Sequence, residues 1–510
     1  MGHIVFRDRL ERWGRRTLAA GLATLTCLLA SPAVADWVSV ETPHFRVTGK
    51  TSETRLTQMA LSLEHFRATL LADIRPTTHH LEPRFELILV PREADLLRLR
   101  PALDPAATGF YVPGERDHAA FVADQGPGDE TRQFAFHEYA HHIMFRYMAG
   151  TYPAWLSEGF AEYYSTLRPV SGGAILGEAA PARLSSLTSE AWQDLIPMLS
   201  QANAAAHTHA NYYPQAWALT HYFLSTPARQ RQLSSLLRLK ALGVPVEVAL
   251  SRATGQSPEV FSQTLRRYVR GTMPTRQIRI SRKTDIPVTR RTLGPPESAL
   301  VMESWLYRLP PTQRDLKAAL SAARSRLETL PPSPARDRTA AGLYLLEQKP
   351  NAALALILPL ILNGEATALD HRMAADAWQA KAVQAEAVDD QGAWLHQARS
   401  LYESATRLDP LDYGALVSLS RTGTMLKRLG IKLADEQLSR DALRRAQAIA
   451  PQSPLVRTLA GPLPEYDHNL AIDGTEAETV AVKAIRPMLR LLEGDRAPEA
   501  ETNASLPQTR

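Results

Sequence analysis

His137-Glu138-Tyr139-Ala140-His141 and, a short way on, Trp155-Leu156-Ser157-Glu158-Gly159-Phe160-Ala161-Glu162-Tyr163-Tyr164 are the two segments from which the rest of the chain is read. Histidines four apart share one face of an α-helix, so both imidazoles can reach a single point. The glutamate next to the first of them projects beside that point without ligating it. The second segment opens after Pro153, where a helix starts readily, and repeats its apolar residues (Trp155, Leu156, Phe160, Tyr164) at helical spacing. If the two helices pack, Glu158 can join the histidines. Two His and one Glu are a ligand set for Zn2+ that leaves a fourth position open. A bare histidine pair would read as hydrogen-bonded core histidines; Glu138 and Glu158 together turn the reading towards metal.

Around this pair of helices the pattern is α+β. Upstream, Trp37 to Val47 alternates as a short strand with Phe45 and Val47 on one face, and a long amphipathic helix runs from about Thr54 to Ile74. Phe85 to Val90 and Ala119 to Ala123 read as strands, the first closed by Pro91 and the second by Asp124 and the Gly126-Pro127-Gly128 loop. Asp129 and Glu130 suit the positive end of the helix that bears the histidines. Further helices are expected around Ala191 to Asn203, Pro214 to Ser225, Ala228 to Ala241 and Pro258 to Arg270. Pro274 to Pro311, rich in Pro, Arg and Thr, reads as a mainly extended linker.

Beyond the linker nearly everything is helical. Ala398 to Pro410 and Ala442 to Pro451 pair small and large apolar residues at helical spacing and end in proline, as tetratricopeptide helices do; Leu343 to Leu362 offers an earlier pair. Pro410 and Pro451 are 41 residues apart, longer than the usual period of about 34, so the alternatives are an irregular repeat and a generic helical bundle. The expected division is 1–35 signal peptide, 36–273 first domain, 274–311 linker, 312–465 helical domain, and 466–510 a polar, partly disordered tail.

The first 35 residues carry five arginines, an apolar run from Leu18 to Ala30, and Ala33-Val34-Ala35. That is the pattern of a cleavable secretory signal and of a periplasmic or secreted protein; the run is short of the ~20 residues a spanning helix needs, an uncleaved anchor being the alternative. Cys27, the only cysteine, lies within this run, so a mature chain starting near Asp36 has neither disulfides nor thiolate ligands. The leader holds net +3 of the formal +5 charge, leaving about +2, which argues against a nucleic-acid partner. The basic stretch with Arg279, Arg282, Lys283 and Arg290 alternates with isoleucines and reads as a solvated strand face.

The combination H-E-x-x-H and W-L-S-E-G-F-A-E-Y resembles the gluzincin metallopeptidases, and most nearly the bacterial peptidase-MA-like family. The similarity spans roughly Trp37 to Tyr268 and extends to tetratricopeptide-like helices after the catalytic domain. The resemblance implies a zincin-like domain with His137, His141 and Glu158 as zinc ligands, and Glu138 as the general base that takes the water's proton and returns it to the leaving amine. In thermolysin-like relatives a carboxylate four residues beyond the third ligand hydrogen-bonds the first histidine. Glu162 holds that position, and either does so here or is a plain surface residue. An oxyanion donor is expected from Tyr213, then Tyr212, in the segment Asn211 to Trp217; the alternative is that both pack at a helix start. His142, His209 and His221 read as structural or exposed. The Gly-x-Met-Glu-Asn motif of the aminopeptidase branch is missing upstream of His137. An edge strand formed near Gly109-Phe110-Tyr111 or Ala119 to Ala123 could instead bind an extended peptide, which points to an endopeptidase with peptide or protein substrates. The helical domain would recruit a protein partner. The rival reading is an inactive zincin-like adaptor, against which Glu138 stands intact.

Overall fold

A computed structural model describes residues 36–76, 82–101, 103, 107–113, 117–126, 128–148, 152–179, 181–189, 191–200, 211–280, 285–309, 313–431, 436–450, 453–460 and 488–489. The expected signal peptide, His209 and most of the expected tail lie outside them. The stretch read as one N-terminal strand is a hairpin, β1 (Val38–Glu41) and β2 (Phe45–Gly49), antiparallel with Val40 opposite Val47. α1 (Glu53–Ile74) follows, its start capped by the Ser52 hydroxyl accepting from the Arg55 N–H. β3 (Phe85–Val90) runs parallel to β2 with all six residues buried, which is what a strand covered on both faces requires. β4 (Gly109–Pro113) and β5 (His118–Ala123) form a second hairpin, β5 lying parallel to β3.

Two helices then carry the motif residues: α2 (Glu130–Tyr147) and α3 (Ala154–Ser165). β6 (Arg168–Val170) and β7 (Gly173–Leu176) make a small hairpin. The helices α4 (Pro181–Ser189), α5 (Leu195–Ser200), α6 (Tyr212–Leu224), α7 (Pro227–Ala241), α8 (Val246–Thr254) and α9 (Pro258–Arg270) complete this half. α4 and α8 were not expected, and the expected 191–203 helix begins only at Leu195.

The segment 274–311, read as a linker, is extended over much of its first part but does not stand free. β8 (Arg276–Arg279) pairs with β7, and β9 (Thr289–Thr292) pairs with β1, giving a six-stranded sheet in the order β4-β5-β3-β2-β1-β9. Several of its arginines are paired: Arg276 with Asp73, Arg290 with Glu53 and Arg291 with Glu297. The single turn Trp305–Arg308 then leads into the helices α10 (Gln313–Glu328), α11 (Pro334–Leu346), α12 (Pro350–Leu362), α13 (Ala368–Gln384), α14 (Val388–Leu408), α15 (Tyr413–Arg428), α16 (Glu436–Ile449) and α17 (Pro454–Ala460). From α11 to α16 each packs against its successor or predecessor in an array. No described helix is long and apolar enough to cross a membrane.

The six-stranded sheet explains why the second half is not an independent bead. One face, with Phe45, Val47, Leu87, Leu89 and Val122, packs on α1 and α2, where Phe66 stacks on Phe136 at 4.1 Å between centroids. The other face presents Ile88, Val90 and Phe121, and these are covered by Trp305, Leu306, Ala319 and Ala323 from beyond β9. Apolar strand residues on both sides need two covers, and the helical half supplies the second. Met488 and Leu489, in the stretch read as a polar tail, are buried in the first of these cores.

α3 meets α6 without side chains between them at one point. A Cβ on Gly159 would lie 2.1 Å from Thr220 Oγ1 and 2.4 Å from the Ala216 carbonyl oxygen, so no residue larger than glycine fits unless the helices part. Because Glu158 is the preceding residue, Gly159→Ala is expected to destabilise the fold by about 1–3 kcal/mol and to weaken metal binding at the same time. Urea denaturation and zinc competition check this; unchanged values for both would show that the close approach has no consequence.

Candidate metal centre

α2 and α3 pack side by side, and their inward faces deliver the motif residues to one spot. The Nε2 atoms of His137 and His141 lie 3.1 Å apart, and Glu158 Oε2 is 3.4 Å from each. The three residues are mostly buried, and among the described residues they are the group of His, Cys, Asp or Glu able to hold a metal ion. A tetrahedral ion bound at roughly 2.0–2.1 Å separates its ligands from one another by about 3.3–3.4 Å. The observed triangle has that size, so these side chains fit a zinc-sized ion without rearrangement. Two imidazole nitrogens facing each other at 3.1 Å are a poor arrangement for two N–H groups and a good one for two lone pairs converging on a cation.

The charged groups of the site act strongly on one another. Burial works to raise the Glu158 carboxyl, but the imidazoles of His141 and His137 outweigh it and hold it well below the carboxylate range. Burial lowers the His137 imidazole, and the hydrogen bond to Glu158 with the charges of Glu162, Glu138 and Glu158 overcomes this and lifts it to about 9. Burial also raises the Glu138 carboxyl, against the pull of His137 and His141. Glu138 lies under β4: a Cβ on Gly109 would come within 3.5 Å of Glu138 Oε1, and the Tyr111 backbone N–H donates to the Glu138 carboxylate. The edge strand and the carboxylate beside the histidines are therefore in contact.

Glu162 is not a plain surface residue. It is 5% exposed, and its Oε1 sits 3.5 Å from His137 Nδ1, on the far side of the ring from Glu158. Both its oxygens are held by Arg183 of α4, whose Nη2 and Nε donate at 2.7 and 2.8 Å. Nothing in the sequence pointed to Arg183, which reaches the site from an unanticipated helix. A carboxylate behind a ligating histidine fixes its tautomer, so Arg183→Ala, which leaves Glu162 buried and unanchored, is expected to lower zinc affinity about tenfold. A competition titration with a zinc indicator measures it, and unaltered affinity would remove Arg183 from the account. On the second histidine, Ser157 Oγ approaches His141 Nδ1 at 3.5 Å.

The tyrosines separate. The start of α6 is pinned by Asn211 Nδ2 donating to the Ala191 carbonyl at 2.9 Å and by Gln215 Nε2 donating to the Gln193 carbonyl at 2.9 Å. Tyr213 is 37% exposed, and its ring centroid is 6.5 Å from that of His137. Burial and the charges of Glu158, Glu138 and Glu162 push its phenol well up, so it stays a proton donor. Tyr212, fully buried in the main core, packs instead at the helix start. His142 turns away from the ligand triangle and is hydrogen-bonded through Nδ1 to the Tyr111 hydroxyl, 2.9 Å away. His221 is buried with its ring nitrogens on the Tyr268 hydroxyl and the Gly177 carbonyl, at 2.7 and 2.8 Å. The strand Ala119 to Ala123 is not an edge: β5 is enclosed between β3 and β4, and β4 is the outer strand. The sequence hid this because β4 does not alternate apolar and polar residues, whereas β5 is strongly apolar.

Compared with known proteins, the chain matches no family model and no curated protein significantly.

Proposed function

We propose that the protein is a zinc-dependent peptidase of the gluzincin type, most nearly like the peptidase-MA-like family, exported and acting on extended peptide segments. The observation that carries the reading is the coincidence of the His137–His141–Glu158 triangle with a half-buried, non-ligating carboxylate, Glu138, in hydrogen-bond contact with an outer sheet strand. A zinc ion held by these three residues would supply Lewis-acid polarisation of a carbonyl and acidify a water. Glu138 acts as general base: it accepts the water's proton and passes it to the leaving amine nitrogen. β4 aligns the peptide by adding a strand to the sheet edge above Glu138. Tyr213, kept protonated, donates a hydrogen bond to the carbonyl oxygen as charge develops on it. Glu162, anchored by Arg183, holds the His137 ring in orientation.

The helical array is read as tetratricopeptide-like, with neighbouring helices stacked in sequence order, and as a docking domain for a protein partner. The test of the function is incubation of the zinc-loaded chain with a mixture of denatured proteins, followed by identification of new amino termini, beside the Glu138→Gln variant. New termini from the unsubstituted chain alone support a peptidase. No new termini from either, with zinc bound, favours an inactive adaptor, and turnover confined to small esters or amides points to a different hydrolase.

A further inference from the structure

The β4–β5 hairpin makes contacts beyond its own sheet. Asp117, immediately before β5, is paired with Arg308 Nη2 at 2.9 Å and with Arg372 Nη2 at 2.6 Å. Arg372 lies on α13 of the helical array and is 1% exposed. Its other terminal nitrogen, Nη1, donates to Asp412 Oδ1 at 2.7 Å, the same oxygen that caps α15 by accepting from the Ala415 N–H at 2.9 Å. The next residue on each side repeats the contact: the His118 ring stacks on the Tyr413 ring with centroids 5.8 Å apart and planes 27° apart. Asp117-His118 of the hairpin thus faces Asp412-Tyr413 of the array, with Arg372 between the two carboxylates.

Two further facts give this contact consequence. It borders a cavity of about 870 Å³ between the sheet and the helical array, lined by Arg46, Asp117, His118, Arg372, Asp412 and Tyr413 among others, so on that side it is not backed by general packing. And the same hairpin carries β4, whose Tyr111 N–H holds Glu138. Burial raises the Asp117 carboxyl, yet the guanidinium groups of Arg308 and Arg372 outweigh it and hold it below the usual carboxylate range.

We infer that Arg372 is a positioning residue: by joining Asp117 to Asp412 it clamps the β4–β5 hairpin to the helical array and sets the height of the peptide-binding edge strand over the metal centre. The inference rests on the proposed peptidase reading for its catalytic consequence, but not for the clamp itself. What a partner does to the packing of α13 against α15 reaches the hairpin through this guanidinium together with the His118–Tyr413 ring contact beside it. A broken charge pair in a buried network is felt locally because each partner loses a hydrogen bond that water cannot replace.

The experiment uses the full-length chain loaded with Zn2+ and measures amide hydrogen exchange peptide by peptide, together with peptide hydrolysis. Arg372→Gln is compared with Arg372→Lys, which retains the charge, and with Asp412→Asn, which keeps an oxygen to cap α15. Expected for Arg372→Gln is exchange about tenfold faster or more across residues 107–123, with the metal-bearing helices 130–165 unchanged. KM should rise about tenfold with kcat within a factor of two or three. Arg372→Lys should restore part of both, and Asp412→Asn should give a smaller change of the same kind. Unchanged exchange at 107–123 in a folded Arg372→Gln protein overturns the inference. So does general loss of protection in Arg372→Gln accompanied by an unaltered hairpin in Asp412→Asn, since Arg372 is then only a structural residue of the array. If the unsubstituted chain cleaves no peptide, the function proposed above falls, while the exchange data still decide whether the clamp exists.

Discussion

Glu138→Gln is expected to remove peptide hydrolysis by about 100- to 10,000-fold while leaving zinc content unchanged. The range is that of a lost general base. The substitution suits the test because the site holds Glu138 through features an amide retains. It does not belong to the ligand triangle, it sits half-buried beneath β4, and the oxygen that accepts from the Tyr111 N–H has a counterpart in glutamine. What the amide lacks is the capacity to take a proton. Measurement of kcat/KM on a quenched fluorescent peptide, with metal content by elemental analysis, separates loss of chemistry from loss of metal. Activity within tenfold of the unsubstituted protein, at equal zinc, would show that Glu138 is not the base.

Glu158→Ala acts on the other half of the site, and the larger change in affinity is expected there. The carboxylate completes the triangle with Nε2 atoms 3.1 Å apart, and its oxygen lies 3.4 Å from each. Alanine leaves two neutral ligands and no negative charge against a dipositive ion in a largely buried pocket. Outer partners such as Arg183 and Glu162 typically account for 10- to 100-fold in affinity, so loss of the ligand itself should exceed about 100-fold, or roughly 2.7 kcal/mol. Dialysis against a mild chelator should strip the variant and spare the parent. Stoichiometric zinc retained by Glu158→Ala would mean that the ion, if bound, has another third ligand. The order Glu158→Ala, then Arg183→Ala, is itself a prediction, because the second change leaves the triangle in place.

How much of this could be read from the residues depends on whether the signal is local. The helices bearing His137 and Glu158 begin where Glu130 and Pro153 place them, and β3 and α1 follow from apolar patterning over six and twenty-two residues. Their close approach also brings Glu162 behind His137, a consequence of helical spacing once the ligand face is fixed. Features set by distant partners were not legible. β9 is exposed at every position and rich in Thr and Arg, so nothing in it announces a strand; only β1, some 250 residues earlier, makes it one. Arg183 and Arg372 look like any surface arginine until the carboxylates of Glu162 and Asp117 are brought to them. Gly159 carries no pattern at all, because what it must avoid belongs to α6.

The pairing of β1 with β9 has a bearing on how the chain comes together. The first strand to emerge has one neighbour at once, β2, and must wait for the other until residues 289–292 exist. Until the helices beyond them arrive, Ile88, Val90 and Phe121 have no cover, so a nascent chain carries an unfinished apolar surface. Contacts this distant in sequence close late and slowly. The His137–His141–Glu158 cluster rests on that sheet, so its geometry is completed with the last of the chain and not with the first.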